Sequence, residues 1–435
     1  MLERASCRRD RRWGSVVFIA GQPGSAPVDS RSGNEKAVKT VLLAWERGSG
    51  FGHAANLRRI AARLRPHGVR LIAVVRNVAA MASHRDAFDD IAAAPRWPID
   101  EPQAAQGRLG PSATLNDMLS AAGLADGQAV GRILSAWDSL FERMRPDLVV
   151  ADYSPLAALA ARGRIPLVLA GNGFTVPPAE MPRFPLLHRI VPPAFDEAQT
   201  LETVNAAATS LGIRRLDRLP QLFSGDACVV QAFRLLDPYD TQRVSPVDGP
   251  FFEEPPKPRA ADAKQVFAYL STSDGTQWPC LYEALVPIAK RLRVHAPSWP
   301  KAQLDRLAVA GARVDASPQP IADILVNSRL VVHLGGGALA AEALAAGVPQ
   351  LILANHVEQN FYGEALEEEG VGRLVRTYLP ETRLETDEII SMIDDDAMAA
   401  RADALGGHVR GFATRHNALE RCEATCMDLL QVRNL

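Results

Sequence analysis

Three groups of residues in this chain have the types and spacing that chemistry requires. The first is a glycine-rich run, Gly48-Ser49-Gly50-Phe51-Gly52-His53, which follows the apolar stretch Val41–Trp45. Glycines let a backbone approach a ligand closely, and an imidazole at such a loop exchanges a proton near neutral pH. The second is Asp152, at the end of the apolar run Leu148–Ala151. Its carboxylate either takes the second N–H of His53, fixing the tautomer and raising its basicity, or caps the helix that opens near Pro155. The third is His333-Leu334-Gly335-Gly336-Gly337-Ala338, between an apolar run and a helical stretch. Three successive glycine amides and a helix start form an anion site suited to a diphosphate. Glu342, one turn further on, reaches a sugar hydroxyl such as a ribose, and Glu358-Gln359 offers acceptors and an amide donor to a polyol.

Other chemistries fit these residues poorly. A dinucleotide fingerprint needs a third glycine where His53 stands, and an acidic residue where the second strand ends in Arg76. No Gly-Lys-Ser/Thr completes a P-loop. Asp394-Asp395-Asp396 opens a helix, where three acids cap it and complement its dipole rather than hold a metal. Cys422 and Cys426 lie one helical turn apart, with no further Cys/His cluster to complete a metal site.

The elements that must position these groups alternate. Strands are expected at Val41–Trp45, Val69–Val75, Leu148–Ala151 and Leu167–Ala170, with helices after His53, over Val130–Met144 and from Pro155. Leu57, Ile60, Ala61 and Leu64 form one apolar helical stripe. The alternation stops in a proline-rich, charged stretch and then resumes. Strands are expected at Val266–Leu270, Leu330–Leu334 and Pro349–Ala354, and helices at Cys280–Leu292, Leu339–Ala346 and Phe361–Glu369. Such a rhythm implies parallel βαβ units and doubly wound sheets. In open α/β sheets ligands bind beyond the carboxyl ends of strands, where all three groups sit. The expected organisation is a basic tail over residues 1–38, a domain over 39–237, a linker over 238–263, a second domain over 264–395 and helices over 396–435.

At 435 residues, the chain is about three times an average domain. Its 47% apolar and 23% charged residues are those of a globular protein with ample core material. A net charge of −2 argues against a nucleic-acid partner, which calls for a basic excess or face. No apolar run reaches the roughly 18 residues of a membrane span, so the chain is not expected to be integral to a membrane. The five scattered cysteines point away from a disulfide scaffold and toward a reducing, cytoplasmic setting. The run Val16–Ala20 is shorter than a signal-peptide core.

With these residues in view, the chain resembles the GT-B glycosyltransferases, in the broad family of UDP-glycosyltransferases and bacterial macrolide glycosyltransferases. Val331-Val332-His333-Leu334-Gly335-Gly336-Gly337, Glu342-Ala343-Leu344, Gly347-Val348-Pro349 and Glu358-Gln359 are similar to the donor-sugar signature. Trp45–His53 resembles the loop that carries the family's general base, and Pro146–Asp152 the strand whose aspartate partners it. The resemblance implies two Rossmann-like doubly wound domains facing across a cleft. It implies His53 and Asp152 as catalytic residues, and a UDP- or dTDP-type nucleotide sugar as substrate. The donor would be held by Gly50, Gly52, Ser271, Thr272, Gln319, His333, Gly335, Gly336, Gly337, Ala338, Glu342, Glu358 and Gln359. Transfer to a hydroxyl of a small-molecule acceptor would invert the anomeric centre, with no cofactor and no metal. Anchored on Glu342, the family's phosphate-contacting histidine falls on Leu334, so the diphosphate either rests on backbone N–H groups or the strand shifts to present His333. Acceptor-pocket loops would include Gly171–Thr175 and Pro177–Pro185. Two alternatives share this architecture: a non-catalytic nucleotide-sugar-binding helper and a sugar-nucleotide epimerase.

Overall fold

The structure, a computed structural model, describes residues 38–48, 52–99, 112–187, 191–271, 278–379 and 381–432. The first half builds a six-stranded parallel sheet from β1 (Thr40–Trp45), β2 (Arg70–Val75), β3 (Asp90–Ala93), β4 (Leu148–Asp152), β5 (Leu167–Gly171) and β6 (Ala227–Val230). Their spatial order is β3-β2-β1-β4-β5-β6, so the order reverses beside β1, between β1 and β4. This is the place where an open α/β sheet forms its crevice. The helices are α1 (Gly52–Leu64), α2 (Leu115–Leu119), α3 (Gly127–Met144), α4 (Pro155–Ala161) and α5 (Glu197–Ser210).

The two faces of this sheet bury separate cores, as strands without a solvated face must. Leu42, Ala44, Val149 and Ala151 pack with Trp137 and Phe141 of α3 and with α4. Val41, Leu43 and Trp45 point the other way, onto Leu57, Ile60 and Ala61 of α1. The apolar stripe read from the sequence is therefore the buried face of α1. Asp126 starts α3 by accepting the N–H groups of Gln128 (2.9 Å) and Ala129 (3.2 Å).

The second half repeats the plan with β7 (Gln265–Tyr269), β8 (Leu292–His295), β9 (Arg313–Val314), β10 (Ser328–His333), β11 (Gln350–Ala354) and β12 (Gly372–Arg376). The order is β12-β11-β10-β7-β8-β9, again parallel throughout. Around it lie α6 (Pro279–Leu285), α7 (Lys301–Val309), α8 (Ile321–Val326), α9 (Gly337–Ala346), α10 (Val357–Glu368), α11 (Thr386–Asp394) and α12 (Asp396–Ala413), and the chain continues into α13 (Ala418–Val432).

Three details differ from the sequence reading or add to it. The helix expected to run to Leu292 stops at Leu285: Pro287 lies in a 3-10 turn over Val286–Arg291, and Leu292 already begins β8. Proline has no N–H to continue an α-helical ladder. The terminal helices are not one unit. Ala402 and Val409 of α12 pack on Ala341 and Leu344 of the second half, whereas Leu419, Cys422 and Cys426 of α13 return to Val41 and Leu43 of the first sheet. The proline-rich stretch after residue 237 is pinned in place, since the Arg259 guanidinium donates to the Gly347 carbonyl (3.2 Å) and to Asp403 (2.5 Å).

Candidate active site

β1 and β4 are neighbours, and their register sets Trp45 beside Asp152. The chain leaving β1 turns at Gly48 and enters α1, whose second residue is His53. Nδ1 of His53 lies 3.0 Å from each carboxylate oxygen of Asp152. A carboxylate only accepts, so Nδ1 carries the hydrogen and Nε2 is the basic nitrogen. Asp152 is 1% exposed, so the pair is shielded from water on the carboxylate side. Trp45 and Tyr153 both stack near-parallel on the imidazole, at 5.4 and 6.2 Å between centroids. Tyr153 reaches that position with φ at 45°, a left-handed conformation costly for a bulky residue and characteristic of functional sites. Its carbonyl accepts the N–H of Arg47 at 3.0 Å.

The competing task for Asp152, capping the helix after it, belongs to another residue. Oε2 of Glu46 accepts the first-turn N–H groups of Leu156 (2.9 Å) and Ala157 (3.3 Å) in α4, and Oε1 accepts from the Trp137 indole. Burial pushes the Glu46 carboxyl up to about 7, against those three donors and the nearby charge of Arg47. Glu46 thus ties the end of β1 to the segment leaving Asp152. The sequence signal for it was an acid directly after the apolar run Val41–Trp45, next to the loop of the base.

In the second half, β10 ends at His333, level with Tyr269 of β7 and Ile352 of β11. The His333 ring is buried between the sheet and the loop. Its Nε2–H donates to Oε1 of Gln350 at 3.0 Å, and Nδ1 accepts the N–H of Gly335 at 3.2 Å. Burial lowers its pKa to about 4, so the ring is neutral. His333 therefore braces the turn at Gly335 (φ 77°) from behind rather than facing the loop's open side. That side is formed by the exposed residues Gly336 and Ala338, at the start of the ten-residue α9. The His333 ring is thus turned inward, and the one register irregularity where β10 pairs with β7 lies at Ser328–Leu330, at the far end of the strand from the loop.

The other expected donor residues fall as follows. Glu342 of α9 lies 3.7 Å from the guanidinium of Arg59 in α1, and burial raises its pKa against that charge. Oε1 of Glu358 accepts from Nδ2 of Asn172 (2.8 Å) and from the Tyr362 hydroxyl (3.1 Å). Oε1 of Gln359 accepts the N–H of Asn355 at 2.7 Å, ordering the turn into α10. Gln319 folds back on Ser317, donating to its carbonyl (3.2 Å) and hydroxyl (3.1 Å). The Tyr269 hydroxyl is hydrogen-bonded with Ser271 and lies near enough to Glu342 for that carboxylate to raise its pKa. Gly52 opens α1 and is exposed. Gly50 and Thr272 lie outside the described residues. Asp395, from the acidic triplet, caps α12 by accepting the N–H of Met398 at 2.7 Å.

Base and cradle meet through residues 171 and 172. A Cβ on Gly171 would stand 2.4 Å from Oγ1 of Thr175 and 3.3 Å from Oδ1 of Asp152, so β5 ends against the pair where there is no room for a side chain. The next residue, Asn172, reaches Glu358, and its Nδ2 lies 3.2 Å from where a Cβ on Gly337 would be. Arg59 makes a second bridge, six residues along α1 from His53. Sequence reasoning placed Asn172 in an acceptor loop and did not single out Glu46, Arg59 or Tyr362. For Asn172 and Arg59 no local signal exists, because their partners lie in the other half of the chain.

No family model matches this chain. It is 26% identical over 304 residues to the PGL/p-HBAD biosynthesis rhamnosyltransferases of Mycobacterium bovis (strain BCG / Pasteur 1173P2) and Mycobacterium tuberculosis (strain ATCC 25177 / H37Ra), covering 63% of this chain and 67% of theirs. Among solved structures it is similar to CalG4, the calicheamicin glycosyltransferase, with a TM-score of 0.63 at 17% identity, over 91% of this chain and 99% of that one. It is also similar to the spinosyn rhamnosyltransferase SpnG complexed with thymidine diphosphate, with a TM-score of 0.59 at 16% identity, over 90% and 100% of the two chains. The chain therefore has the GT-B fold, that of the macrolide and antibiotic glycosyltransferases. Among the described residues, no helix is long and apolar enough to cross a membrane.

Proposed function

We propose that this protein is a glycosyltransferase. It moves a sugar from a nucleoside-diphosphate donor of the thymidine or uridine type to a hydroxyl of a small-molecule acceptor, with inversion and without a metal. The observation that carries the reading is the His53–Asp152 pair at 3.0 Å, beside which Asn172, the residue after Gly171, bonds Glu358 of the second half and lies against Gly337. The two rhamnosyltransferase likenesses support a 6-deoxyhexose as the first donor sugar to test.

In this mechanism Nε2 of His53 takes the proton of the acceptor hydroxyl as its oxygen attacks the anomeric carbon. Asp152 holds Nδ1–H and stabilises the imidazolium that forms. Such positioned proton transfer contributes about 10²–10⁴-fold. The new bond forms on the face opposite the breaking bond between carbon and diphosphate oxygen, whose electron pair leaves with the nucleoside diphosphate. The growing negative charge there meets the N–H groups of Gly336, Gly337 and Ala338 and the positive end of α9. Glu342 receives ribose hydroxyls and Glu358 those of the sugar.

The test is a binding and turnover panel. Wild-type protein should be stabilised by one class of nucleotide sugar and should transfer its sugar to an acceptor hydroxyl. His53→Ala should keep the binding and lose the transfer. Binding with no transfer or hydrolysis under any acceptor set would favour the helper reading. Epimerised donor without acceptor would favour the epimerase.

A further inference from the structure

Glu358 belongs to α10 of the second half, yet its carboxylate is oriented from the first half. Oε1 receives two hydrogen bonds, from Nδ2 of Asn172 at 2.8 Å and from the Tyr362 hydroxyl at 3.1 Å. Tyr362 is 1% exposed, so its hydroxyl is fixed by the surrounding core. Two donors on one oxygen fix the carboxylate plane and leave Oε2 for a further partner. Asn172 is itself fixed at its other end. Its Oδ1 accepts the N–H of Thr175 at 2.9 Å, and its carbonyl accepts that of Val176 at 3.0 Å. This fixes the amide orientation, because Oδ1 faces an N–H and Nδ2 faces a carboxylate. The same Nδ2 lies over Gly337, at the first turn of α9.

We propose that Asn172 is a positioning residue for the donor sugar: carried on the β5 edge of the first sheet, it aims Glu358 so that Oε2 meets a sugar hydroxyl. The proposal rests on the glycosyltransferase reading above. A charged acceptor held by two neutral donors makes a strong and directional bond to a third. Because residue 171 abuts Asp152, the hydrogen bond that orients the sugar reader is anchored one residue from the group that orients the base. The sugar and the proton acceptor are thereby placed by the same turn.

Asn172→Asp separates positioning from folding. Its Oδ1 still accepts from Thr175, so the turn survives, but the atom facing Glu358 becomes an anion. Two ligands are the probes: thymidine diphosphate, which has no sugar for Glu358 to read, and thymidine-diphosphate rhamnose. The variant should bind thymidine diphosphate within twofold of wild type, bind the sugar nucleotide at least tenfold more weakly, and raise donor KM while acceptor KM holds. Adding Glu358→Gln restores a donor–acceptor pair and should recover part of the loss. Equal weakening toward both ligands, no weakening toward either, or no recovery in the double variant would overturn the proposal. Wild-type protein that binds neither thymidine nor uridine diphosphate would instead overturn the transferase reading on which it rests.

Discussion

Gly48 lies against the Nε2 edge of the His53 imidazole: a Cβ built on it would stand 2.1 Å from Nε2 and 2.8 Å from Cδ2. Gly48 also has φ at 86°, so two separate features demand glycine there. The base is seated on bare backbone, and that seat brings Nδ1 to Asp152.

Gly48→Ala follows directly from this. The left-handed conformation should cost roughly 1–2 kcal/mol, lowering the melting temperature by a few degrees for a chain of this size. The displaced ring should lower kcat/KM by about 10²-fold or more, within the range assigned to a positioned base. Thermal unfolding and steady-state transfer measure the two effects separately. A variant with wild-type kcat/KM would show that His53 does not act from this position.

Asp152→Asn keeps the shape of the side chain and removes its charge. The amide oxygen can still accept Nδ1–H, but the imidazolium formed during transfer loses its counter-charge. The expected result is a kcat lower by about 10²–10⁴, with nucleoside diphosphate affinity unchanged, since the Asp152 carboxylate bonds His53 rather than the Gly335–Gly337 loop. A drop confined to KM would point to a role in substrate binding instead.

What the sequence revealed, and what it did not, divides along range. Residues at or beyond strand ends, such as Asp152, Gly335 and His53 at the start of α1, were legible because a βαβ rhythm puts every strand's carboxyl end on one edge of its sheet. The strands β1, β4 and β11 were legible because each is buried along its whole length and carries a run of four or five apolar residues. The edge strands β3 and β9, with half-exposed residues and only four and two positions, carry no such run. Glu46 and Asn172 escaped for another reason. Their partners lie 110 and 186 residues away, and nothing local announces a contact at that separation. The inward turn of His333 was also out of reach, because it depends on Gln350, which faces it from the next strand.

His333 predicts a loss of stability in acid. Its Nδ1 accepts from Gly335, so protonation would set two hydrogens against each other in a buried space. The folded value of about 4 lies below the unfolded value of 6.5, so the unfolded chain binds the extra proton first. Stability from this group is complete above about pH 6.5 and is lost as pH falls toward 4, by on the order of 3 kcal/mol in all. His333→Asn keeps an acceptor for Gly335 and cannot titrate. Relative to wild type it should lose stability at neutral pH, through the missing bond to Gln350, yet show a shallower decline between pH 6.5 and 4. An unchanged slope in denaturant titrations would contradict the buried neutral imidazole.

Glu46 predicts the opposite slope in an overlapping window. Its folded value of about 7 lies above the unfolded 4.5, so between these the native chain holds a proton that the unfolded chain has released. Stability from protonated Glu46 is present below about pH 4.5 and is lost as pH rises through 7, again by on the order of 3 kcal/mol. Glu46→Gln abolishes the titration but turns an amide nitrogen toward either the Trp137 indole or the α4 N–H groups, all of them donors. That mismatch should cost about 1–3 kcal/mol at pH 5, where wild-type Glu46 is largely protonated, and the deficit relative to wild type should shrink toward pH 8. Because α4 begins just past Asp152, the same variant should lower kcat more than donor KM. A deficit that grows with pH would mean that Glu46 is held as a carboxylate, and that its three donors outweigh its burial.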